Sequence, residues 1–164
     1  MDVARFSKPR RILPDDNLAG FSCGVETIDS WLESRAKRAC EQGTAVTYVT
    51  FDRDEALAGF YSLSAISVAR RNVVGGWLRR NVPEEIPCVL LGMLGVAKRH
   101  YGQGLGPWLL RDATLRAIAA SDVIGADALV VDPVGTDARR FYEHYGFKVL
   151  PGTKRMYVPL VGRE

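Results

Sequence analysis

The sequence LGMLGVAKRHYGQGLGPWLL occupies residues 91–110 and joins an apolar run to a glycine-rich turn. An apolar run typical of a buried central strand leads into a turn with glycine at alternate positions, Gly102, Gly104 and Gly106. Pro107 follows where a helix is expected to begin, a position that suits proline because the N–H it lacks would have no helical partner there. Glycines let several backbone N–H groups point at one spot before the helix N-terminus. The turn therefore predicts a phosphate or pyrophosphate site.

The glycine spacing excludes two other kinds of nucleotide site. The loop of nucleotide triphosphatases needs Gly-x-x-x-x-Gly-Lys followed by Ser or Thr, and the chain has no such run. The dinucleotide fingerprint needs Gly-x-Gly-x-x-Gly, whereas the spacing here is Gly-x-Gly-x-Gly. A tight turn without a ligand stays open as the alternative for this loop taken alone. Residues 101–106 are called the glycine loop below.

Helical and strand patterns alternate on both sides of the glycine loop. The predicted helices cover residues 25–42, 107–120 and 136–145, and the predicted strands cover 44–51, 56–68, 88–96, 128–131 and 147–160, the last with a break at Pro151-Gly152. Residues 69–87 are expected to be irregular, since two glycines and two prolines interrupt them. This order predicts an α/β domain with a mixed (α+β) sheet, one domain over residues 1–164.

Composition fits an ordinary globular protein of 164 residues, 47% hydrophobic and 25% charged, and excludes disordered and collagen-like chains. No apolar run approaches the ~20 residues of a membrane span, and the charged N-terminus does not resemble a secretory signal. The three cysteines are an odd number without a Cys-x-x-Cys pair, so neither a disulfide framework nor a metal site is expected. The cytoplasm, with no membrane contact, is the expected location.

Net charge is only +3, but its distribution is uneven. Residues 56–111 hold seven basic and two acidic side chains, and 17 of the 22 basic residues in the chain are arginines. The planar guanidinium group suits phosphate and stacked bases, so the middle third of the chain favours an anionic ligand. Scattered, solvated surface arginines are the alternative.

A second segment, residues 137–147 (DARRFYEHYGF), places Phe-Tyr on a short helix that Gly146-Phe147 closes. Together with the glycine loop it resembles the GNAT acyltransferases, whose loop has Gln or Arg where Tyr101 stands and then the spacing of Gly104 and Gly106. Residues 21–32, with Phe-Ser-Cys-Gly followed by Ile-Asp-x-Trp-Leu, are similar to the first helix of the GNAT toxins of toxin–antitoxin modules. The resemblance therefore implies the GNAT fold.

The resemblance also implies an activity: transfer of acetyl from acetyl-CoA to the α-amine of an aminoacyl-tRNA, which blocks translation. Tyr142 is implied as the catalytic acid, and an aromatic residue that only packs its helix is the alternative. The residues implied to bind acetyl-CoA are Leu94, Gly95, Val96, Tyr101, Gly102, Gln103, Gly104, Leu105, Gly106, Trp108 and Phe141. Because Pro107 has no N–H, the phosphate donors are expected to be Gln103 to Gly106 and Trp108. His100 and His144 are each expected to be ordinary surface or packing residues.

The arginine-rich middle third supplies candidates for the tRNA contact. They are Arg70, Arg71, Arg79 and Arg80 before the central strand, and Lys98 and Arg99 after it. The implied partners are a ribbon-helix-helix antitoxin, a second copy of the chain in a homodimer, and operator DNA reached only through the antitoxin. Two alternatives stay open: an acetyltransferase for a small amine or a protein N-terminus, and a non-catalytic corepressor that acts with an antitoxin.

Overall fold

The computed structural model describes residues 5–69 and 84–160. The chain divides into two compact units, one made of residues 1–64 and 92–115, the other of residues 65–91 and 116–164. Two long strands and one long helix contribute to both units. They are β3 (Leu57–Ala69), β4 (Glu85–Val96) and α3 (Leu105–Ile124).

The first unit is a sheet. Along the chain, two helices precede its central strands, and a 3-10 helix and α3 follow them. Its remaining elements are β1 (Arg10–Arg11), α1 (Glu26–Ser34), α2 (Ala36–Gln42), β2 (Val46–Phe51) and a 3-10 helix (Lys98–His100). The strand order is β1-β2-β3-β4, and β2 pairs with both β1 and β3 in antiparallel register. Phe60 and Val49 pack against Leu32 and Ile28 of α1 in the core. This hydrophobic contact fixes α1 on the sheet.

The second unit continues the strand order as β3-β4-β5-β7-β6. Its own elements are β5 (Ala128–Val131), α4 (Gly135–His144), β6 (Lys148–Val149) and β7 (Met156–Pro159). β4 and β5 are parallel over only three residue pairs, from Val89–Leu129 to Leu91–Val131, whereas β5 and β7 are antiparallel. All four β5 side chains are buried, as a strand covered on both faces requires.

The mixed sheet and the element order confirm the predicted α/β class. Four predictions about individual elements are corrected. The helix predicted over residues 25–42 is two helices, separated at Arg35 (φ −125°, ψ −32°). The apolar periodicity continues across this break because Leu32 and Ala36 are both buried in the same core. The helix predicted from Pro107 to Ala120 is longer at both ends and begins at Leu105. Pro107 therefore stands at its third residue, where an N–H still has no helical partner.

The other two corrections concern strands. Pro87, expected to interrupt the chain, lies inside β4, where its exposed ring costs little and its carbonyl accepts the Asp127 N–H at 2.9 Å. The two-residue edge strand β1 is missing from the prediction because Arg10-Arg11 is too short and too polar to show a strand pattern. None of the helices in residues 5–69 and 84–160 is long and apolar enough to cross a membrane.

Candidate functional site

The glycine loop has a backbone that only glycine adopts without strain. Gly102 and Gly104 have φ of +76° and +80°, the left-handed region. Within the described chain, the N–H groups of residues 102–106 have no protein acceptor, so they are available to an anion. The Trp108 N–H instead donates to the Gly104 carbonyl at 3.2 Å in the first helical turn. The expectation that Trp108 supplies a phosphate donor is corrected accordingly.

The end of β4 also offers unpaired backbone groups. The Met93 N–H donates to Ser62 Oγ at 3.0 Å, and the Ala97 N–H donates to the Ala58 carbonyl at 2.8 Å. Both acceptors belong to β3. Because N–H directions alternate along a strand, the N–H groups of Leu94 and Val96 face the opposite edge. No described strand of this unit pairs with that edge, so the two N–H groups can bind an extended ligand.

Gly95, the third predicted residue of this strand end, has a packing role. A Cβ added at Gly95 would lie 3.0 Å from Phe60 Cε1 and 3.1 Å from Ile28 Cγ2. Any side chain there would push α1 away from the sheet, since both neighbours belong to the buried core. Glycine at this position therefore lets α1 pack directly over the strand that carries Leu94 and Val96.

The segment before α1, residues 21–24, holds the start of the glycine loop in place. The Lys98 N–H donates to the Ser22 carbonyl at 2.9 Å, and the Tyr101 hydroxyl donates to the Cys23 carbonyl. Gly24 has φ +87°, and a Cβ there would lie 3.0 Å from the Tyr101 hydroxyl. The Phe-Ser-Cys-Gly motif is thus a support of the loop as well as the approach to the first helix.

A polar cluster beneath the glycine loop is a feature that the sequence analysis missed. Asp52, in the β2–β3 turn, accepts hydrogen bonds at Oδ2 from His100 Nε2 (2.9 Å) and Arg99 Nη2 (3.2 Å). Burial alone would raise the pKa of the Asp52 carboxyl, but donors from His100, the Ala56 N–H and Arg99 lower it to about 2. His100 is therefore not a simple surface histidine. Residues 48 positions apart gave no spacing signal that could have paired them.

Tyr142 belongs to the second unit, on α4. Its ring is buried between Phe141 and Phe147, with ring centroids 5.2 Å away in each case. Burial raises the pKa of the Tyr142 hydroxyl, so this group keeps its proton at any physiological pH. Its hydroxyl makes no hydrogen bond to the residues that the structure describes, so it is chemically available as a donor.

Of the six basic residues predicted to contact tRNA, the structure describes two, Lys98 and Arg99. Arg70, Arg71, Arg79 and Arg80 lie outside the described residues. Lys98 is exposed and makes no ion pair within the described chain, so it can meet a phosphate. Arg99 differs, because its guanidinium is bound to Asp52 and to the Leu57 carbonyl at 3.1 Å, which leaves less of its charge for tRNA. In the described part of the chain, no cluster of His, Cys, Asp or Glu could hold a metal ion.

Comparison with known proteins identifies the family. Residues 44–149 match the acetyltransferase (GNAT) domain. The chain belongs to the GNAT acetyltransferases. This acetyltransferase is 40% identical over 149 residues to a tRNA-acetylating toxin of Mycobacterium tuberculosis, covering 91% of this chain and 89% of that protein. The resemblance that the two motifs indicated is thereby confirmed.

Solved structures extend the likeness to nearly the whole chain. AtaT complexed with acetyl-methionyl-tRNAfMet superimposes with a TM-score of 0.85 at 24% identity, over 94% of each chain. A mutant AtaT toxin bound to the C-terminus of the antitoxin AtaR gives 0.81 at 23% identity, over 95% of this chain and 94% of that one. At these identities the likeness shows the fold.

Proposed function

We propose that this acetyltransferase is a toxin that moves acetyl from acetyl-CoA to the α-amine of an aminoacyl-tRNA and so blocks translation. The observation that carries the proposal is the 40% identity to a tRNA-acetylating toxin over 91% of the chain. A blocked α-amine cannot accept a peptidyl group, so translation stops at that aminoacyl-tRNA.

The glycine loop and the end of β4 are the proposed acetyl-CoA site. The free N–H groups of residues 102–106 suit the pyrophosphate, and the N–H groups of Leu94 and Val96 suit the carbonyls of an extended pantetheine arm. The loop ends at the N-terminus of α3, which is twenty residues long and adds partial positive charge. Phe141 is proposed as an apolar contact of the same cofactor.

The transfer itself forms one bond and breaks one. The amine nitrogen attacks the thioester carbonyl, an N–H at Leu94 or Val96 stabilises the oxyanion, and the C–S bond then breaks. Tyr142 gives its proton to the departing sulfur. Because burial raises the pKa of its hydroxyl above the ordinary value of about 10, the proton stays on Tyr142 until the thiolate forms. The fully protonated Tyr142 hydroxyl supports this role. The amine loses its proton to water, because an α-amine with a pKa of about 7.7 is already neutral in a substantial fraction of molecules at cellular pH.

The basic middle third is the proposed tRNA contact. Residues 56–111 hold seven basic and two acidic side chains, an excess that backbone phosphates would attract. Lys98 is exposed beside the glycine loop, where it can meet the acceptor end of the tRNA. Arg70, Arg71, Arg79 and Arg80 are proposed to contact the same molecule.

Partners are proposed from the relatives. An antitoxin neutralises the toxin by binding through its C-terminal segment, as the likeness to AtaT bound to AtaR supports. We propose that this antitoxin is of the ribbon-helix-helix type, that the toxin is a homodimer in the cytoplasm, and that operator DNA is reached only through the antitoxin.

The direct test mixes the protein, acetyl-CoA and a set of charged tRNAs, followed by chromatography of the aminoacyl adducts. We expect N-acetyl-aminoacyl-tRNA from at least one charged tRNA, and at least a tenfold lower kcat for Tyr142→Phe, as for a lost proton donor worth about 10² in rate. Tyr145→Phe, three residues away and exposed, is the matched control. Acetylation of polyamines or peptide N-termini but of no tRNA would identify the other enzyme class. Binding without any turnover would identify the corepressor.

A second experiment tests the tRNA contact. The double variant Arg79→Glu with Arg80→Glu should lose tRNA acetylation while keeping its affinity for acetyl-CoA. Lys148→Glu with Lys154→Glu changes the net charge by the same amount at exposed positions in the second unit and should keep activity. Full tRNA acetylation by the arginine variant would show that Arg79 and Arg80 do not contribute to tRNA binding.

A further inference from the structure

His100 joins the β2–β3 turn to the glycine loop. Its Nε2 lies 2.9 Å from Asp52 Oδ2, and its Nδ1 lies 3.3 Å from Gln103 Oε1. The His100 side chain is only 14% exposed, and the Phe6 ring packs edge-on against it with centroids 5.0 Å apart. One ring therefore contacts the turn, the N-terminal segment and the loop that is proposed to hold pyrophosphate.

The environment of the ring settles which nitrogen carries a proton. Asp52 Oδ1 accepts the backbone N–H groups of Asp54 (2.9 Å) and Ala56 (3.1 Å), while Oδ2 accepts from Arg99 and His100. Four donor groups surround a carboxylate that is ionised above pH 4, so His100 Nε2 must carry a proton and donate it. Of the charged groups around the ring, Asp52 bonds it directly and Arg99 binds the same carboxylate oxygen. The turn residues Arg53, Asp54 and Glu55 and the neighbouring Lys98 are exposed to solvent.

The second nitrogen then sets the direction of the Gln103 amide. In the neutral ring Nδ1 has no proton, so it accepts, and the amide must present its NH2 group to the ring. In the charged ring Nδ1 donates, and the amide must present its oxygen to the ring, which lies 3.3 Å from the amide. Which end of an amide is oxygen follows from its hydrogen-bond partners, so the two states differ by a half-turn of the amide. In the neutral state one of the two N–H groups of the amide is held by Nδ1 and the amide oxygen points away from the ring, whereas in the charged state both N–H groups are free to meet an anion.

We propose that His100 is a positioning residue of the glycine loop, and that its protonation turns the Gln103 amide so that the NH2 group serves the pyrophosphate of acetyl-CoA. The inference rests on the proposed function only in that acetyl-CoA binds at the glycine loop. The acceptor plays no part in it. It follows that acetyl-CoA binds more tightly to the protein with charged His100, and by reciprocity that bound acetyl-CoA favours the charged ring.

The test depends on the fact that the chain has few imidazole groups, so that the signal of His100 can be isolated. The chain has two histidines, and His144 is exposed on α4, so His144→Gln leaves His100 as the single imidazole. NMR titration of that ring should show the proton on Nε2 in the neutral form. Saturating acetyl-CoA should move its titration midpoint upward by about one pH unit, which corresponds to tenfold coupling. Acetyl-pantetheine, which lacks the pyrophosphate, should leave the midpoint in place. Equal midpoints with and without acetyl-CoA would overturn the proposal.

Variants give an independent measurement. Calorimetry between pH 5.5 and 8 should show that the affinity for acetyl-CoA falls as the pH rises in wild type and in His144→Gln. In His100→Gln the affinity should not change with pH, because glutamine keeps a donor for Asp52 and cannot titrate. Gln103→Leu, on the loop, should show an equally flat pH dependence and bind acetyl-CoA on the order of tenfold more weakly than wild type at pH 6. A pH-dependent affinity in both variants would contradict the amide mechanism. Failure of the proposed function would appear differently, as acetyl-CoA binding without acetylated tRNA.

Discussion

The Tyr101 hydroxyl donates a hydrogen bond to the Cys23 backbone carbonyl, and this bond ties the first residue of the glycine loop to the segment before α1. The rest of Tyr101 is open to solvent, with 58% of its surface exposed. Position 101 is where the family pattern has glutamine or arginine. Here the tyrosine anchors the loop through its hydroxyl, so the departure from the pattern adds a support to the loop.

Replacing Tyr101 with phenylalanine should therefore loosen the loop without disturbing the core. One neutral hydrogen bond is worth about 1 kcal/mol, so we expect the free energy of unfolding to fall by about that amount. Acetyl-CoA affinity should fall by up to roughly fivefold, the equivalent of the same free energy. Chemical denaturation and calorimetry measure the two quantities. Tyr145→Phe, another exposed tyrosine, is the control, and an equal effect there would contradict the anchoring role.

Gly24 offers a matched pair with Gly20 to test the same contact. Both have positive φ, +87° and +78°, so alanine costs each about 1–2 kcal/mol of backbone strain. A Cβ at Gly20 meets nothing within 4 Å, whereas at Gly24 it lies 3.0 Å from the Tyr101 hydroxyl and 3.1 Å from Lys98 Cε. The lysine can move aside, but the hydroxyl cannot without losing its bond to Cys23.

We therefore expect Gly24→Ala to cost about 1 kcal/mol more than Gly20→Ala, the free energy of the hydrogen bond. In a Tyr101→Phe background the hydroxyl is gone, and the extra cost should disappear, which a double-mutant cycle by urea denaturation would measure. Equal costs for the two glycines in wild type would show that backbone strain alone explains them.

Local patterns predicted most of the elements because each depends on neighbours in the sequence. The Gly-x-Gly-x-Gly turn, the buried β5 and the helix that carries Tyr142 all follow from spacing that a short window contains. Long-range contacts could not be predicted in this way. The Asp52–His100 pair joins residues on different elements, and a histidine next to two basic residues gives no sign of a buried partner.

The break between α1 and α2 could not be predicted for a different physical reason. Two helices that bury the same face keep one apolar period, so the pattern carries no signal at Arg35. The direction of the β4 N–H groups likewise depends on which neighbour each one bonds. The sequence indicates that Leu94 and Val96 lie on a strand, while their free edge appears only when Ser62 and Ala58 are seen to bond the alternate residues.

Asp52 should make the free energy of unfolding depend on pH below about pH 4. Its pKa is about 2 in the folded chain against 3.8 ordinarily, so the stabilisation is complete above pH 4 and is lost as pH falls toward 2. The shift corresponds to about 2–3 kcal/mol at most. Asp52→Asn should lower the free energy of unfolding at pH 7 and flatten its decline between pH 4 and 2, measured by urea denaturation. Asp132 forms an exposed ion pair with Arg155, so Asp132→Asn should change the free energy of unfolding by no more than about 0.5 kcal/mol at any pH in this range.

The three cysteines should differ sharply in reactivity. Burial raises the pKa of the Cys23 and Cys88 thiols to about 11, which leaves almost no thiolate at pH 8, and both side chains are shielded from reagents. Cys40 is half-buried and lines a groove with Arg11 and Lys37, so a disulfide reagent can reach it. We expect the native protein to release one equivalent of thionitrobenzoate rapidly at pH 8 and three after unfolding, with the rapid phase absent in Cys40→Ser. A rapid phase that survives this substitution would mean that the packing around Cys23 or Cys88 opens in solution.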